Sequence, residues 1–474
     1  MEKIIEFILN CVVNLTAWIF SGLLELIRSF TIHERKTALD ASFNENPGEI
    51  ISKSNKGYTA NGESNISIEN SFRNQISYGG AGAGKTSNIL IPNILHSLEY
   101  CNAIINDPSF EVAEKISGVA HQVSMVLYYD AARPERSEKF NPLKRIKKIS
   151  DAMKLATLLI INVLGKTEAF WENSAINVLT IIIRLVVFHM AEEVRTMQNV
   201  LYLIDNMMVG DKVDLLFARV ENDDALVSAY KSFIAMDSKL ANSVLATVKA
   251  ALGLFTSETV IQVTSGDTLD LSSFKRDKIC LIINNNINNT KFYAPLTAIL
   301  LHQLFDELMR ELPKPDDRPV FLHIDEAASI HMGGSFPIIV ANCRKYQFSF
   351  SLIYQSYHQL SAQYGAELAK AVEANCWMRV FLPGTPSDIS ATLEREMGVF
   401  DFIDEITGMK RTRALMTSSE IRETSSVLVF CGHHRVLKLP LKPYYLQPKL
   451  LKLTSIPPYE PEPKPSIEPS LIKL

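Results

Sequence analysis

The sequence predicts an α/β fold: a mainly parallel sheet flanked by helices, interrupted by an all-helical insertion and preceded by a membrane-anchor helix. Three observations carry this. The pattern G-x-x-x-x-G-K-[ST] occurs in full at Gly79-Gly80-Ala81-Gly82-Ala83-Gly84-Lys85-Thr86, between a strand-like stretch and a helical one. Strand and helix patterns alternate from Lys278 onward, which is how a parallel sheet with helices on both faces reads. Between those two regions, from 151 to 255, the strand signal disappears and helical periodicity takes over.

Composition sets the bounds. At 474 residues the chain exceeds one average domain, so a large domain carrying an insertion is expected. Apolar residues make up 47%, ample for a core. A net charge of -4 and a pI near 6.2 exclude an overall basic nucleic-acid binder; any DNA contact is confined to loops or a channel. The cysteines at 11, 101, 280, 343, 376 and 431 have no C-x-x-C spacing, which argues against zinc and a disulfide framework and suits a reducing cytoplasm.

In chain order, the run from Phe7 to Leu24 is uncharged, although Asn10, Asn14, Thr16 and Ser21 dilute it and its length is at the short end for crossing a bilayer. No small-residue cleavage site follows, so residues 1–30 read as an uncleaved membrane anchor, with Arg28, His33, Arg35 and Lys36 marking the cytoplasmic side. A helix lying along the membrane surface is the alternative. Residues 31–70 are polar, turn at Gly57 and Gly62, and read as a connector with one or two edge strands.

The nucleotide-binding domain is read as discontinuous, 71–150 and 256–450. Its first strand lies within Phe72 to Tyr78. The helix after the phosphate loop should kink or end at Pro92. Strands follow at Ala103 to Asn106, ending in Asp107-Pro108, and at Val123 to Tyr129, ending in Asp130. The all-α subdomain, 151–255, has helical segments near 151–164, 169–191, 197–209, 224–235 and 239–254. Within it, Ala175 to Met190 is apolar enough to suggest a span, but Arg184, Asn177 and the flanking Glu172, Glu192 and Glu193 favour a buried helix. A strand at Lys278 to Ile283 and a helix from Tyr293 to Leu312 lead to the strand Val320 to Ile324. Beyond it come a helix near 336–346, a strand 348–354, a helix 366–375, a strand 377–382 and a helix 386–397. Short strands at Val427 to Phe430 and Arg435 to Leu439 close the domain. The tail, 451–474, is proline-rich from Pro457 and is expected to be extended and disordered.

The chemistry sits at two places. Glycines allow the loop to curl so that backbone N–H groups point at phosphates, with the positive end of the following helix behind them. Cofactor binding is thus assigned to Gly79, Gly80, Ala81, Gly82, Ala83, Gly84, Lys85, Thr86 and Ser87; Lys85 would reach the β and γ phosphates of ATP and the Thr86 hydroxyl would hold Mg2+. The second place is Val320-Phe321-Leu322-His323-Ile324-Asp325-Glu326, an apolar strand ending in two acids. Asp325 would complete the Mg2+ shell as a Walker B acid, and Glu326 would act as general base. Gln355 follows the strand 348–354, at the edge where parallel sheets bind ligands, and is placed to sense the γ-phosphate. Arg344, near a helix end, reads either as a solvated C-terminal charge or as a finger inserted into a neighbouring subunit's site. His323, His433 and His434 lack partners at metal-ligand spacing and read as structural, and Lys144, Arg145, Lys147 and Lys148 read as a solvated loop.

In order along the chain these residues resemble the conjugative coupling proteins of type IV secretion systems, the TraG/TraD type. The resemblance runs from about 40 to 447. It rests on Gly79 to Thr86 with Ser87 and Ile91-Pro92-Asn93, on Asp107-Pro108 and Glu111, on Phe140-Asn141-Pro142-Leu143 and on Phe170-Trp171. Later matches are Ile324-Asp325-Glu326-Ala327, Cys343-Arg344-Lys345-Tyr346, Tyr354-Gln355-Ser356, Gln359-Leu360, Tyr364-Gly365 and Glu420-Ile421-Arg422. The resemblance implies a RecA-like motor ATPase of the inner membrane, forming a homo-hexamer. It also implies delivery of single-stranded DNA, bound by a relaxase in a relaxosome, to the secretion channel with its ATPases and inner-membrane subunits. By the same resemblance Gln355 is the sensor, Arg344 the finger, and 151–255 the part that meets the relaxosome. Two departures stand out: one candidate membrane helix where the family usually has two, and Asp107-Pro108-Ser109-Phe110-Glu111 where it has D-P-K-G-E. A nucleotide-switched receptor, or a coupling ATPase for protein effectors, is the alternative function; stimulation of ATP turnover by DNA separates the motor from the receptor.

Overall fold

The computed structural model describes residues 40–473 except 53–55, 165–167, 285–286 and 405. The expected N-terminal anchor, 1–30, and the start of the connector lie outside the described residues. Eleven strands are present: β1 (Gln75–Tyr78), β2 (Asn102–Asn106), β3 (Met125–Asp130), β4 (Ile279–Asn284), β5 (Val320–Ile324), β6 (Phe348–Tyr354), β7 (Met378–Phe381), β8 (Val399–Ile403), β9 (Lys410–Ala414), β10 (Ser426–Cys431) and β11 (Leu437–Pro440). Nine of them form one sheet in the order β11-β10-β7-β1-β6-β5-β2-β4-β3. From β7 to β3 every neighbouring pair is parallel; β10 alone is reversed, pairing antiparallel with β7 on one side and β11 on the other. Strands β2, β4, β5 and β6 are buried at every position, because helices cover both faces and leave no reason for an alternating pattern.

One continuous apolar core joins a face of this sheet to the helical insertion. Helix Ile149–Leu164 packs on helix Ala169–His189 and also on helix Thr290–Leu308, which lies against the sheet. Helix Ala169–His189 is long and apolar enough to cross a membrane, but 67% of its apolar window is buried inside the protein. Its Arg184 donates to Asp223 at 2.9 Å, which explains how a guanidinium is tolerated there. A second cluster fills the opposite face of the sheet, under helices Ile91–Ser97 and Glu111–Val123.

Several elements differ from the sequence pattern for identifiable reasons. Among its described residues the connector forms isolated bridges, Ile51 with Ile66 and Thr59 with Asn65, in place of edge strands. β1 starts at Gln75, because a short helix Ile68–Ser71 and the left-handed Asn74 (φ 64°) precede it. Pro92 does not end the helical path, which continues to Ser97. The turn before it, Thr86–Leu90, is π-helical and widens the backbone where the proline ring would meet the Asn88 carbonyl. Helix 336–346 is an α-helix only over Phe336–Asn342 and tightens to a 3-10 turn over Cys343–Tyr346. The two-stranded β8–β9 hairpin was not apparent from the sequence.

The tail is the largest difference. Expected to be disordered, it forms helix Pro448–Thr454 and then runs extended across the body. Tyr459 N–H donates to Ser117 Oγ at 3.1 Å, and Ile472, at the far end, is buried.

Candidate nucleotide-binding site

The site is assembled where three neighbouring strands end. β6 lies between β1 and β5, so the loop after β1, the residue after β6 and the acids after β5 converge on one edge. The Gly79 N–H donates to the Tyr354 carbonyl at 3.2 Å, tying the start of the loop to the end of β6. Gly82 and Gly84 have φ of 75° and 80°, a region that L side chains rarely enter. At Gly84 a Cβ would also lie 2.4 Å from Asn88 Nδ2. That amide donates to the Gly84 carbonyl at 2.9 Å, and Ser87 Oγ donates to the same carbonyl at 3.3 Å. Lys85 Nζ lies across the loop, donating to the carbonyls of Gly79 at 2.8 Å and Gly80 at 3.0 Å. Thr86 begins the helix behind it.

Asp325 closes β5. Its N–H donates to the Asn106 carbonyl at 3.2 Å, and Asn106 Nδ2 returns a bond to the Asp325 carbonyl at 2.9 Å. Burial, with Asp107 and then Glu326 nearby, pushes the Asp325 carboxyl up to about 7, and the positive charge of Lys85 opposes the shift. Lys85 and Asp325 thus follow the two strands that flank β6. Glu326 adopts the left-handed conformation (φ 48°, ψ 53°), a strain of about 1–3 kcal/mol for a residue with a Cβ. Gln355 Nε2 donates to Glu326 Oε1 at 3.0 Å, and the Gln355 N–H donates to Gln359 Oε1 at 2.9 Å.

Arg344 sits apart. It lies in the turn before β6, at the sheet edge opposite Gln355, a strand length of about 23 Å away. Exposed there, it lines an open cavity with Arg73, Glu373, Asn375, Trp377 and Arg379. Within one chain it cannot reach the loop.

Asp107, quoted above for the resemblance but given no role in the site, lies beside Asp325. It follows β2 next to β5, and its Oδ2 accepts from the Ala113 N–H at 2.7 Å while Oδ1 accepts from Ser109 Oγ at 3.1 Å. Burial raises its carboxyl to about 6, with those two bonds opposing. The available signal was the parallel between Ile105-Asn106-Asp107 and His323-Ile324-Asp325, each an apolar strand ending in an acid. His323, by contrast, is a core residue: burial lowers it to about 3.

A model of the family described as type IV secretory system conjugative DNA transfer matches residues 32–430. No match was found among curated proteins. Among solved structures, the bacterial conjugative coupling protein TrwBdeltaN70, unbound, is similar with a TM-score of 0.66 at 18% identity, over 82% of this chain and 88% of that one. The plasmid coupling protein TrwB with ADP and Mg2+ gives 0.65 at 17%, covering 85% and 93%. TrwB with the ATP analogue ADPNP gives 0.63 at 17%, covering 82% and 89%. At these identities the structures establish the shared RecA-like fold, and the family match spans most of the sequence: the chain belongs to the type IV secretory system conjugative DNA transfer family.

Proposed function

We propose that this chain is an ATP-driven coupling protein that recruits relaxase-bound single-stranded DNA and pumps it to the secretion channel. In this reading 71–150 with 256–450 is the motor domain, and 151–255 meets the relaxosome. The observation that supports it is the convergence of Lys85, Asp325, Glu326 and Gln355 on the ends of β1, β5 and β6. TrwB, of the same fold, holds ADP with Mg2+.

The residues fit an ATP–Mg2+ group. Lys85 is an ammonium balanced by two main-chain carbonyls and can exchange them for phosphate oxygens. Asp325 is a half-buried acid beside Asp107 and Glu326, a charge pattern that a divalent cation relieves. Thr86 and Asp325 would hold Mg2+, which when bound neutralises charge on the phosphates. Glu326 Oε1 is held by Gln355, so the second carboxylate oxygen is the one that takes a proton from water. Arg344, at the far edge of the sheet, can serve only a neighbouring subunit, and a homo-hexameric ring at the inner membrane supplies one.

Turnover of ATP by the full chain, with and without single-stranded DNA, tests the reading. Stimulation by DNA, lost in Lys85→Ala with unchanged circular dichroism, is expected. Parental turnover in that variant refutes the site, and turnover indifferent to DNA refutes the pump.

A further inference from the structure

The C-terminal segment 456–473 has the composition of a linker but the contacts of a built element. Its inward-facing residues, Ile456, Tyr459, Pro461, Lys464, Ile467, Pro469 and Ile472, recur every two or three positions, as one face of an extended proline-rich chain does. At its start, the Tyr459 ring stacks on His121 with centroids 4.0 Å apart, and its carbonyl accepts from Tyr128 Oη at 3.1 Å. In the middle, the Lys464 N–H donates to the Glu135 carbonyl at 2.6 Å and its ammonium pairs with Glu138 at 2.8 Å. At its end, two carboxamides, on helices Glu258–Thr264 and Met197–Asn206, each take two main-chain bonds. Gln262 donates to the Ile467 carbonyl and accepts from the Ile467 N–H, both at 2.7 Å. Asn199 donates to the Ser470 carbonyl at 2.8 Å and accepts from the Ile472 N–H at 3.0 Å. Two glycines make room: a Cβ on Gly118 would lie 2.1 Å from the Pro457 carbonyl oxygen, and one on Gly266 would lie 2.2 Å from Ile467 Cδ1.

We infer that residues 456–473 are an intramolecular strap that fastens helices Met197–Asn206 and Glu258–Thr264 to the β3 edge of the sheet. The groove recognises main chain through its carboxamides and ring and charge through His121, Tyr128 and Glu138. Its occupant is therefore set by spacing, an extended peptide with an aromatic at one end and isoleucines at the other, which this chain supplies itself. The strap adds to the contacts these parts already make through the helices Ile149–Leu164 and Thr290–Leu308 and through the segment after β3, where the Phe140 N–H donates to the Val263 carbonyl at 2.7 Å and Asn141 Nδ2 to the Arg195 carbonyl at 2.8 Å. Releasing it removes the Gln262 and Asn199 bonds and loosens both helices against the β3 edge. The inference does not depend on ATP turnover.

Hydrogen–deuterium exchange on the full chain tests it, with a synthetic peptide of residues 456–474 as the unstructured reference. In the parent, the tail amides should exchange at least tenfold more slowly than in the free peptide. The double variant Ile467→Ser/Ile472→Ser changes only the tail. It should bring the end of the tail to the free-peptide rate and raise exchange in helices 197–206 and 258–264 at least threefold. Gly118→Ala, far from those helices and favourable for its own, should push out the start of the tail and give a smaller rise in the same two helices. A parent tail exchanging like the free peptide overturns the strap. A freed tail with unchanged exchange in both helices overturns the fastening.

Discussion

The two edges of the central sheet use the same residue types to opposite ends. Asn102 opens β2 and Asn106 closes it. At the amino edge, Asn102 Nδ2 donates to the carbonyls of Phe274 at 2.6 Å and Asp277 at 2.7 Å, and its Oδ1 accepts from the Ile279 N–H at 3.0 Å. Asn74, before β1, is as fully engaged: it donates to the carbonyls of Val340 and Asn375, each at 3.0 Å, and accepts from the Phe350 N–H at 3.0 Å. At the carboxyl edge, Asn106 Oδ1 is buried with no partner among the described residues, two neighbouring acids are pushed up, and Glu326 holds a strained backbone. Satisfied polar groups hold the strands in register at one edge. Unsatisfied ones at the other keep free energy in reserve for a ligand.

Substitutions that act on one edge and spare the other would sharpen this contrast. The largest expected effect is at the carboxyl edge: Glu326→Gln should lower ATP turnover by about 10²–10⁴-fold with no loss of thermal stability. A parallel fall in melting temperature would break the separation of roles. Next, Asn74→Ala should cost about 3 kcal/mol in urea denaturation, since three buried partners lose their bonds and alanine is poorly suited to φ 64°. The kcat of the folded fraction should hold.

Asp107→Asn should show the sign of the carboxylate effect. A carboxyl raised from 3.8 to about 6 binds its proton more tightly in the folded chain than in the unfolded one. It therefore costs nothing below pH 4, and stability is lost as pH rises from about 4 to 6; for Asp325 the loss extends to about 7. Replacing Asp107 should flatten the fall of melting temperature across that window and stabilise the chain at pH 7 by about 2 kcal/mol. The asparagine keeps an acceptor for the Ala113 N–H. An unchanged pH slope would place the cost elsewhere. The smallest effect is at the amino edge, where Ser349 Oγ donates to the Ser71 carbonyl: Ser349→Ala should cost about 1 kcal/mol in the same urea titration and leave turnover intact.

Parts of this arrangement were legible in the sequence because they are local. Positive φ at Gly82 and Gly84 is a property of the residue itself, so a loop of this shape announces itself in its letters. The apolar run ending in Asp325-Glu326 does the same for a buried strand end. Asp107 was not legible as part of the site, since its neighbourhood with Asp325 exists only because β2 pairs with β5. That the helical path continues through Pro92 was not legible either: the widened turn that admits it is not encoded by any single residue.

What the sequence alone determined was thus the loop, the acid-tipped strand, the alternation that makes a parallel sheet, and the helical character of the insertion. Each depends on periodicity or on the conformational range of one residue, and both act over a few positions. Only the tertiary structure decided that β6 lies between β1 and β5, which brings Gln355 to Glu326, that Arg344 faces away, and that the tail is bound. Strand order and groove occupancy are chosen by burial summed over residues hundreds of positions apart. A tail of prolines and charges cannot bury enough of itself to fold, and becomes ordered only because Ser117, Gln262 and Asn199 offer its backbone the bonds it cannot make alone.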